Sequence, residues 1–354
     1  MAEVFLTLEN GQVFTGRRFG AAGDVTGELV FTTSMLGYLE MLTDPGYYGQ
    51  IVVQTFPSIG NYGVIPTDFE SASPLVKAYV VREWCQEPSN FRCEGDLDAF
   101  LCEQGVVGLY GIDTRALTRL VRDHGTMNAR ISDAPITDKA ELEALAAHRV
   151  ENGVAQVTVT ENGSFKTSDK RVALWDFGAK ASLRRELEKR GCEVAAISAD
   201  TTAAAILEMK PDGVVLSDGP GNPAENAALI GEIQKLLAAK IPVFGIGLGH
   251  QMMALAQGAQ VEKMKHGHRG GNIPARDVTT GRIYITAQSH GYVVKGESLQ
   301  AGASVSHVNV NDSSCEGIVY QNIPAFSVQF TPDAAKGELY TGELYDRFAG
   351  MLTK

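Results

Sequence analysis

The sequence has no paired cysteines, no excess of basic residues and no long apolar run, and each absence removes a class of protein. Its five cysteines, at 85, 93, 102, 192 and 315, are odd in number and form no Cys-x-x-Cys pair. That excludes a disulfide framework and a cysteine-based zinc site, and the five read as reduced thiols, most of them buried. With 31 Lys and Arg against 42 Asp and Glu the formal charge is −11, so neither nucleic acid nor an anionic membrane is expected as a partner. No apolar stretch reaches the ~18 residues of a bilayer crossing. The opening Met-Ala-Glu-Val-Phe-Leu-Thr-Leu-Glu-Asn has no basic region and no long apolar core, so no secretion signal is read there and the cytoplasm is the expected compartment. What is present is an ordinary globular composition, 44% hydrophobic and 21% charged with mean hydropathy −0.06. At 354 residues the chain is long enough for two domains of roughly 150 residues each.

Residues 3–8 and 13–19 alternate apolar and polar around Asn10-Gly11, a specific hairpin signal. The stretch 27–63 is rich in aromatics and turn formers and reads as short strands joined by shaped loops. Asp113 predicts a helix N-cap, with Leu117, Leu120 and Val121 on one face and a stop at Gly125; a second amphipathic helix covers 138–148. Polar, glycine-containing sequence over 151–170 reads as an exposed linker, so the expected division is a β-rich domain over 1–150 and a second domain over 171–354. In the second, apolar strands at 172–177, 193–198, 213–216 and 243–246 alternate with helices at 180–190, 202–209, after Pro223, and at 250–257. This alternation predicts an α/β fold with a doubly wound, mainly parallel sheet.

Ligands of such sheets bind beyond the carboxyl ends of the strands, and both loops expected there are glycine-rich. Ser217-Asp218-Gly219-Pro220-Gly221-Asn222-Pro223 runs into a helix N-terminus, where small residues let backbone N–H groups approach a ligand. Gly245-Ile246-Gly247-Leu248-Gly249 has the spacing of a nucleophile elbow, with Gly247 at its apex and no side chain to attack anything. These runs, together with Gly267–Pro274, Thr286–Gly291 and Val328–Pro332, resemble the class I, triad-type glutamine amidotransferase domain. Phe31–Tyr38, Leu42–Pro45 and Gly111–Arg115 are similar to the amino-terminal domain on the small subunit of carbamoyl phosphate synthetase. The resemblance runs through essentially the whole chain, in order.

The resemblance implies a cysteine at the elbow, which forms a thioester with glutamine, and a histidine and glutamate near the C-terminus that move and orient the proton. Those positions fall on Gly247, Thr331 and Asp333. Glycine cannot attack and threonine has no titratable nitrogen, and by analogy with hydrolase triads the loss of one essential member costs on the order of 10⁶ in turnover. The implied glutamine cleft comprises Gly46, Gly219, Gly221, Leu248, Gln251, Ser289, Gly291 and Tyr292; in it Gly46, Ser289, Tyr292 and Asn222 depart from the family's residues. Glycine at 247 would also relieve the backbone strain of an elbow. Thr331 and Asp333 are left as loop residues able to bond to each other. Cys192 and Cys315 read as structural thiols, and His250, His266, His268 and His290 as packing or interface residues with no metal. The expectation is a pseudo-glutaminase small subunit whose partner is the synthetase large subunit, in a complex open to further assembly, with ATP and Mg on that partner and no cofactor on this chain. An active glutamine-hydrolysing subunit and a stand-alone binding protein reusing the cleft are the alternatives.

Overall fold

A computed structural model describes residues 3–166, 169–333 and 341–352. The chain divides into two compact units, Met1–Glu151 with Lys265–Arg269, and Asn152–Met264 with Gly270–Lys354. The first is built on strands β1 (Glu3–Leu8), β2 (Val13–Gly20), β3 (Val25–Thr32), β4 (Gln50–Gln54), β5 (Ser58–Ile59), β6 (Ala78–Val80), β7 (Glu83–Trp84), β8 (Val107–Tyr110) and β9 (Met127–Ser132). Seven of them close into a barrel in the order β1-β2-β8-β6-β4-β3-β9, and β5 pairs separately with β7. The β1–β2 hairpin turns at Asn10-Gly11 as its sequence requires, with Gly11 at φ 83°. Strand β4 shows why the barrel holds: Ile51 and Val53 face one buried cluster with Leu6, Leu29 and Leu109, while Val52 faces another with Tyr38, Tyr79 and Leu101. A strand buried on both faces needs apolar residues without alternation, and Ile-Val-Val supplies them.

Four helices belong to this unit: α1 (Tyr38–Leu42), α2 (Leu97–Glu103), α3 (Thr114–His124) and α4 (Lys139–Ala147). Asp96, Asp113 and Asp138 each cap the helix that follows by accepting a hydrogen bond from its third N–H. Leu117 and Val121 of α3 are buried in the barrel cluster, and Leu120 packs against it.

The second unit carries β10 (Arg171–Asp176), β11 (Glu193–Ser198), β12 (Gly213–Leu216), β13 (Val243–Ile246), β14 (Val261–Asp277), β15 (Ile283–Val294), β16 (Ala303–Asn309), β17 (Cys315–Tyr320) and β18 (Ala325–Val328), residues Lys265–Arg269 of β14 being counted with the first unit. The sheet order is β11-β10-β12-β13-β18-β17-β16-β14-β15. The first five strands are parallel, and the pairs β18–β17, β17–β16 and β16–β14 are antiparallel. Helices α5 (Gly153–Val157), α6 (Ala181–Glu188), α7 (Ala203–Glu208), α8 (Ala227–Ala238), α9 (Leu248–Ala256) and α10 (Glu343–Met351) complete it. Val172 and Leu174 pack with Leu183, Leu187, Tyr345 and Phe348 of α6 and α10 on one face. Ala173 and Trp175 pack with Ile206, Ile233, Leu236 and Met252 of α7, α8 and α9 on the other. This is the doubly wound arrangement that the strand–helix alternation predicts.

Three local expectations change. The segment from Asn152 to Lys166 is counted with the second unit: most of it is exposed or half-buried, but Gly153–Val157 forms α5, and Val154 enters the core with Phe165 packed against it. Pro223 opens a single 3-10 turn, Pro223–Glu225, and α8 starts at Ala227. Of the five cysteines only Cys192 and Cys315 are buried; Cys85 and Cys93 are half-buried and Cys102 is exposed, because the first three lie on loops and on the outer side of α2, where no core covers them.

Two predictions follow from burial. Burial pushes the Cys315 thiol up to about 12 and the Cys192 thiol upward too, so iodoacetamide on the native protein should modify Cys85, Cys93 and Cys102, and Cys192 and Cys315 only after denaturation. Peptide mapping that finds Cys315 labelled as fast as Cys102 would contradict this packing. His250 is fully buried beside Ser327, Nδ1 to Oγ 2.8 Å, and burial depresses its pKa to about 3. The unfolded chain therefore takes up a proton below about pH 6.5 that the folded chain refuses, and stability falls as pH drops through that window, by at most about 1.4 kcal/mol per pH unit from this residue. His307, also depressed by burial, acts in the same direction. Melting curves of His250→Asn should show a shallower acid slope than the parent, and equal slopes would refute the assignment.

Candidate functional site

The parallel sheet starts at β10 and grows to both sides, β11 on one and β12 on the other, so the crevice at its carboxyl edge opens between the loops that leave β10 and β12, and the loop that leaves β13 stands next to the latter. Ser217 anchors the first loop from below: its fully buried hydroxyl accepts a hydrogen bond from Phe177 N at 2.8 Å and donates to Asp218 O at 2.8 Å. Gly219 follows, so close to β10's exit that a Cβ there would lie 2.1 Å from Phe177 O. Only glycine permits this approach. The second loop is a single-residue elbow: β13 ends at Ile246, Gly247 adopts φ 54° and ψ −112°, and α9 begins at Leu248. Backbone bonds from Gly247 N to Val328 O at 2.9 Å and from Gly249 N to Ser217 O at 3.0 Å hold the turn. A residue with a side chain held in such backbone would cost on the order of 1–3 kcal/mol, so glycine at 247 does relieve the strain expected of an elbow.

The space above that turn is filled. A Cβ built on Gly247 would lie 2.1 Å from Asp218 Oδ1, 2.2 Å from its Cγ and 2.6 Å from Oδ2. The carboxylate of Asp218 thus stands where the side chain of residue 247 would be. It is held by two backbone donors, Gly219 N and Leu248 N, each 2.8 Å from Oδ1. Leu248 N is an N–H of the first turn of α9, with no partner inside its helix, and the helix dipole favours negative charge at this end. Asp218 is 9% exposed. The pair of N–H groups has the geometry of an oxyanion cradle, and its occupant is a carboxylate of the same chain.

The other implied positions lie nearby but are otherwise engaged. Thr331 is buried; its N–H bonds Ala287 O of β15 at 3.0 Å and its hydroxyl accepts from Lys180 Nζ at 2.7 Å. Asp333 accepts from the Tyr345 hydroxyl at 3.3 Å. The two do not bond to each other, because each is turned to a different helix, α6's cap in one case and α10 in the other. Gln251 lies on the buried side of α9 and donates its amide to Tyr292 O and to Gln329 Oε1, both at 2.9 Å, which ties α9 to β15. Ser289, Gly291 and Tyr292 are half-buried on β15, and Gly221, at φ 90°, lies in the β12 loop. Gly46 belongs to the first unit, in the 3-10 turn Pro45–Tyr47, its N–H accepted by Asp44 Oδ1 at 2.8 Å. His266 and His268 belong to the first unit and His290 to the second. Both ring nitrogens of His290 face oxygens, Tyr292 O at 2.8 Å and Gln288 Oε1 at 2.9 Å. Gln288 and Asn309 in turn donate to the fully buried Glu316, at 2.9 and 2.8 Å.

Comparison with known proteins gives these loops a family. The profile for the carbamoyl-phosphate synthase small chain, CPSase domain, matches residues 6–131, and the one for glutamine amidotransferase class-I matches 173–350. The carbamoyl phosphate synthase small chain of Lactococcus lactis subsp. lactis (strain IL1403) is 45% identical over 353 residues, 99% of each chain. The chain belongs to the carbamoyl phosphate synthase small chain family. The small chain of Bacillus caldolyticus is likewise 45% identical, over 98% of this chain and 96% of its own. The pyrimidine-specific small chain of Bacillus subtilis (strain 168) is 43% identical, over 98% of this chain and 95% of its own.

For this member of the small chain family, sequence reasoning found the elbow and the cradle glycines but missed Asp218, Lys180 and Glu316. The available signal for Asp218 was an acid directly preceding a glycine loop, combined with an elbow lacking a side chain. Geometry yields a test. Gly247→Cys alone forces the Asp218 carboxylate off two N–H groups and leaves it against the new sulfur, so the variant should melt lower than the parent and its thiol should titrate high. Adding Asp218→Ala clears the space and leaves the thiol at a helix N-terminus, which lowers its pKa. The pH profile of iodoacetamide alkylation should move down by about one unit or more between the single and double variants; coincident profiles would show that Asp218 does not occupy the position.

Proposed function

We propose that this chain is a non-hydrolysing small subunit of carbamoyl phosphate synthetase, which supports or regulates a large subunit making carbamoyl phosphate from bicarbonate, ATP and free ammonia. The observation that carries the reading is the carboxylate of Asp218 in the place of a nucleophile, its Oδ1 bonded to both cradle N–H groups. Glutamine hydrolysis needs a nucleophile at 247 and an empty cradle to stabilise the developing oxyanion. Neither is provided, and at 331 a threonine bonded to Lys180 stands in place of a proton-transferring histidine. On this reading ATP and Mg belong to the large subunit, the complex works in the cytoplasm, and its product enters arginine or pyrimidine synthesis.

Family membership over nearly the full length supports the partner, since both the amino-terminal and the amidotransferase regions are retained. The test is a glutaminase assay on the purified chain, alone and with a large subunit, alongside carbamoyl phosphate synthesis from glutamine or from ammonium chloride. A stable complex is expected, active with ammonium and lower with glutamine by a factor on the order of 10⁴ or more. Ammonia release from glutamine at roughly 1 s⁻¹ or faster would establish an active amidotransferase. Absence of any complex at micromolar concentration would favour a stand-alone binding protein.

A further inference from the structure

We propose that the first unit holds a binding site for a small phosphorylated ligand carrying at least two anionic groups, in the cavity beside α3. The cavity measures about 710 Å³, and Arg82, Arg115, Arg119, Arg122, Thr55 and Thr114 are among its walls. That volume lies inside the range of small-molecule pockets, roughly 300–1,000 Å³. Arg115, Arg119 and Arg122 follow one another at i, i+4 and i+7, so they share one face of α3 and spread over about 10 Å along it.

Arg82, Arg115, Arg119 and Arg122 are all exposed; like charges one helical turn apart repel by a few tenths of a kcal/mol, which an anion laid along the stripe would relieve. Of these four arginines only Arg122 has an ion pair to a described residue, an exposed one to Asp123 at 2.9 Å. The side chains of Arg82, Arg115 and Arg119 make no ion pair or hydrogen bond among the described residues. The one acid in the wall, Asp113, is already engaged as the cap of α3, its Oδ1 accepting from Ala116 N at 2.9 Å. Nor does the basic face follow from composition, since the chain as a whole carries −11. All four cations are arginines, whose planar forks bind phosphate oxygens in pairs where a lysine offers a point charge. The length of the stripe asks for more than one phosphate group, and the concave shape suits a small ligand better than an acidic protein surface. This site is independent of the elbow and its reading.

Isothermal titration of the full chain with inorganic pyrophosphate, orthophosphate and poly-glutamate tests the proposal. Pyrophosphate should bind saturably, about tenfold or more tighter than orthophosphate, and more weakly as salt rises. Arg115→Ala combined with Arg119→Ala should weaken it about tenfold or more without lowering the melting temperature, and Arg119→Lys should fall between, since it keeps the charge and loses the fork. No saturable binding at about 10 mM pyrophosphate, a threshold weaker than ordinary metabolite affinities, would overturn the site. So would unchanged affinity in the double variant, or poly-glutamate binding more tightly than pyrophosphate, which would assign the face to an acidic protein segment.

Discussion

The short contact between the Asp218 carboxylate and the N–H groups of Gly219 and Leu248 is the constraint around which the catalytic edge of the second unit is arranged. It joins the loop after β12 to the first turn of α9 through one oxygen, 30 residues apart in sequence. A first-turn N–H buried at the head of a helix must find an acceptor, and a carboxylate there gains both the charge-assisted bond and the helix dipole. In an amidotransferase that requirement is deferred: the donors wait for an oxygen that appears only as the reaction proceeds. Here the acceptor is permanent. The elbow's backbone, the close-packed Gly219 and the buried Ser217 beneath it form the scaffold around that carboxylate.

Much of this scaffold was legible in the sequence because it depends on local rules. The β1–β2 turn, the capping aspartate at 113, the glycine end of α3 and the strand–helix alternation after residue 171 each state their structure within a few residues. The elbow was legible for the same reason, since a Gly-x-x-x-Gly spacing at a strand end is a backbone statement. What was not legible depends on where a side chain points after distant segments meet. Nothing within a few residues of Asp218 says that its carboxylate turns toward Leu248, and nothing near Thr331 says that Lys180 reaches its hydroxyl. The closure of the barrel, with β8 between β2 and β6, is non-local in the same way.

Composition misled where it was read as exposure. The polar stretch after residue 150 contains Val154 and Phe165, which pack on the second unit's core, and Thr158, Val159, Asn162 and Gly163 add hydrogen bonds to it. Apolar area removed from water outweighs the preference of neighbouring Asn, Gly and Thr residues for solvent, because those residues need only remain at the rim. The cysteines are the converse case. Thiols are buried on average, but Cys102 projects from a short helix whose apolar side is already committed to Leu97, Phe100 and Leu101. Average tendencies of residue types give way to the particular face on which a residue falls.

Gly247 and Asp218 depend on one volume and one pair of backbone donors. If residue 247 had a side chain, its Cβ would overlap the carboxylate, and Asp218 would have to leave two strong acceptor positions for solvent or for a less favourable partner. If residue 218 lacked its carboxylate while 247 remained glycine, the N–H groups of Gly219 and Leu248 would lose the acceptor they share, with the penalty of unsatisfied buried donors unless water entered. Each residue is therefore favourable in the company of the other. Two groups that share one volume and one set of donors cannot contribute additively. The same coupling holds the turn together: glycine removes the strain of the elbow's backbone and aspartate satisfies its donors.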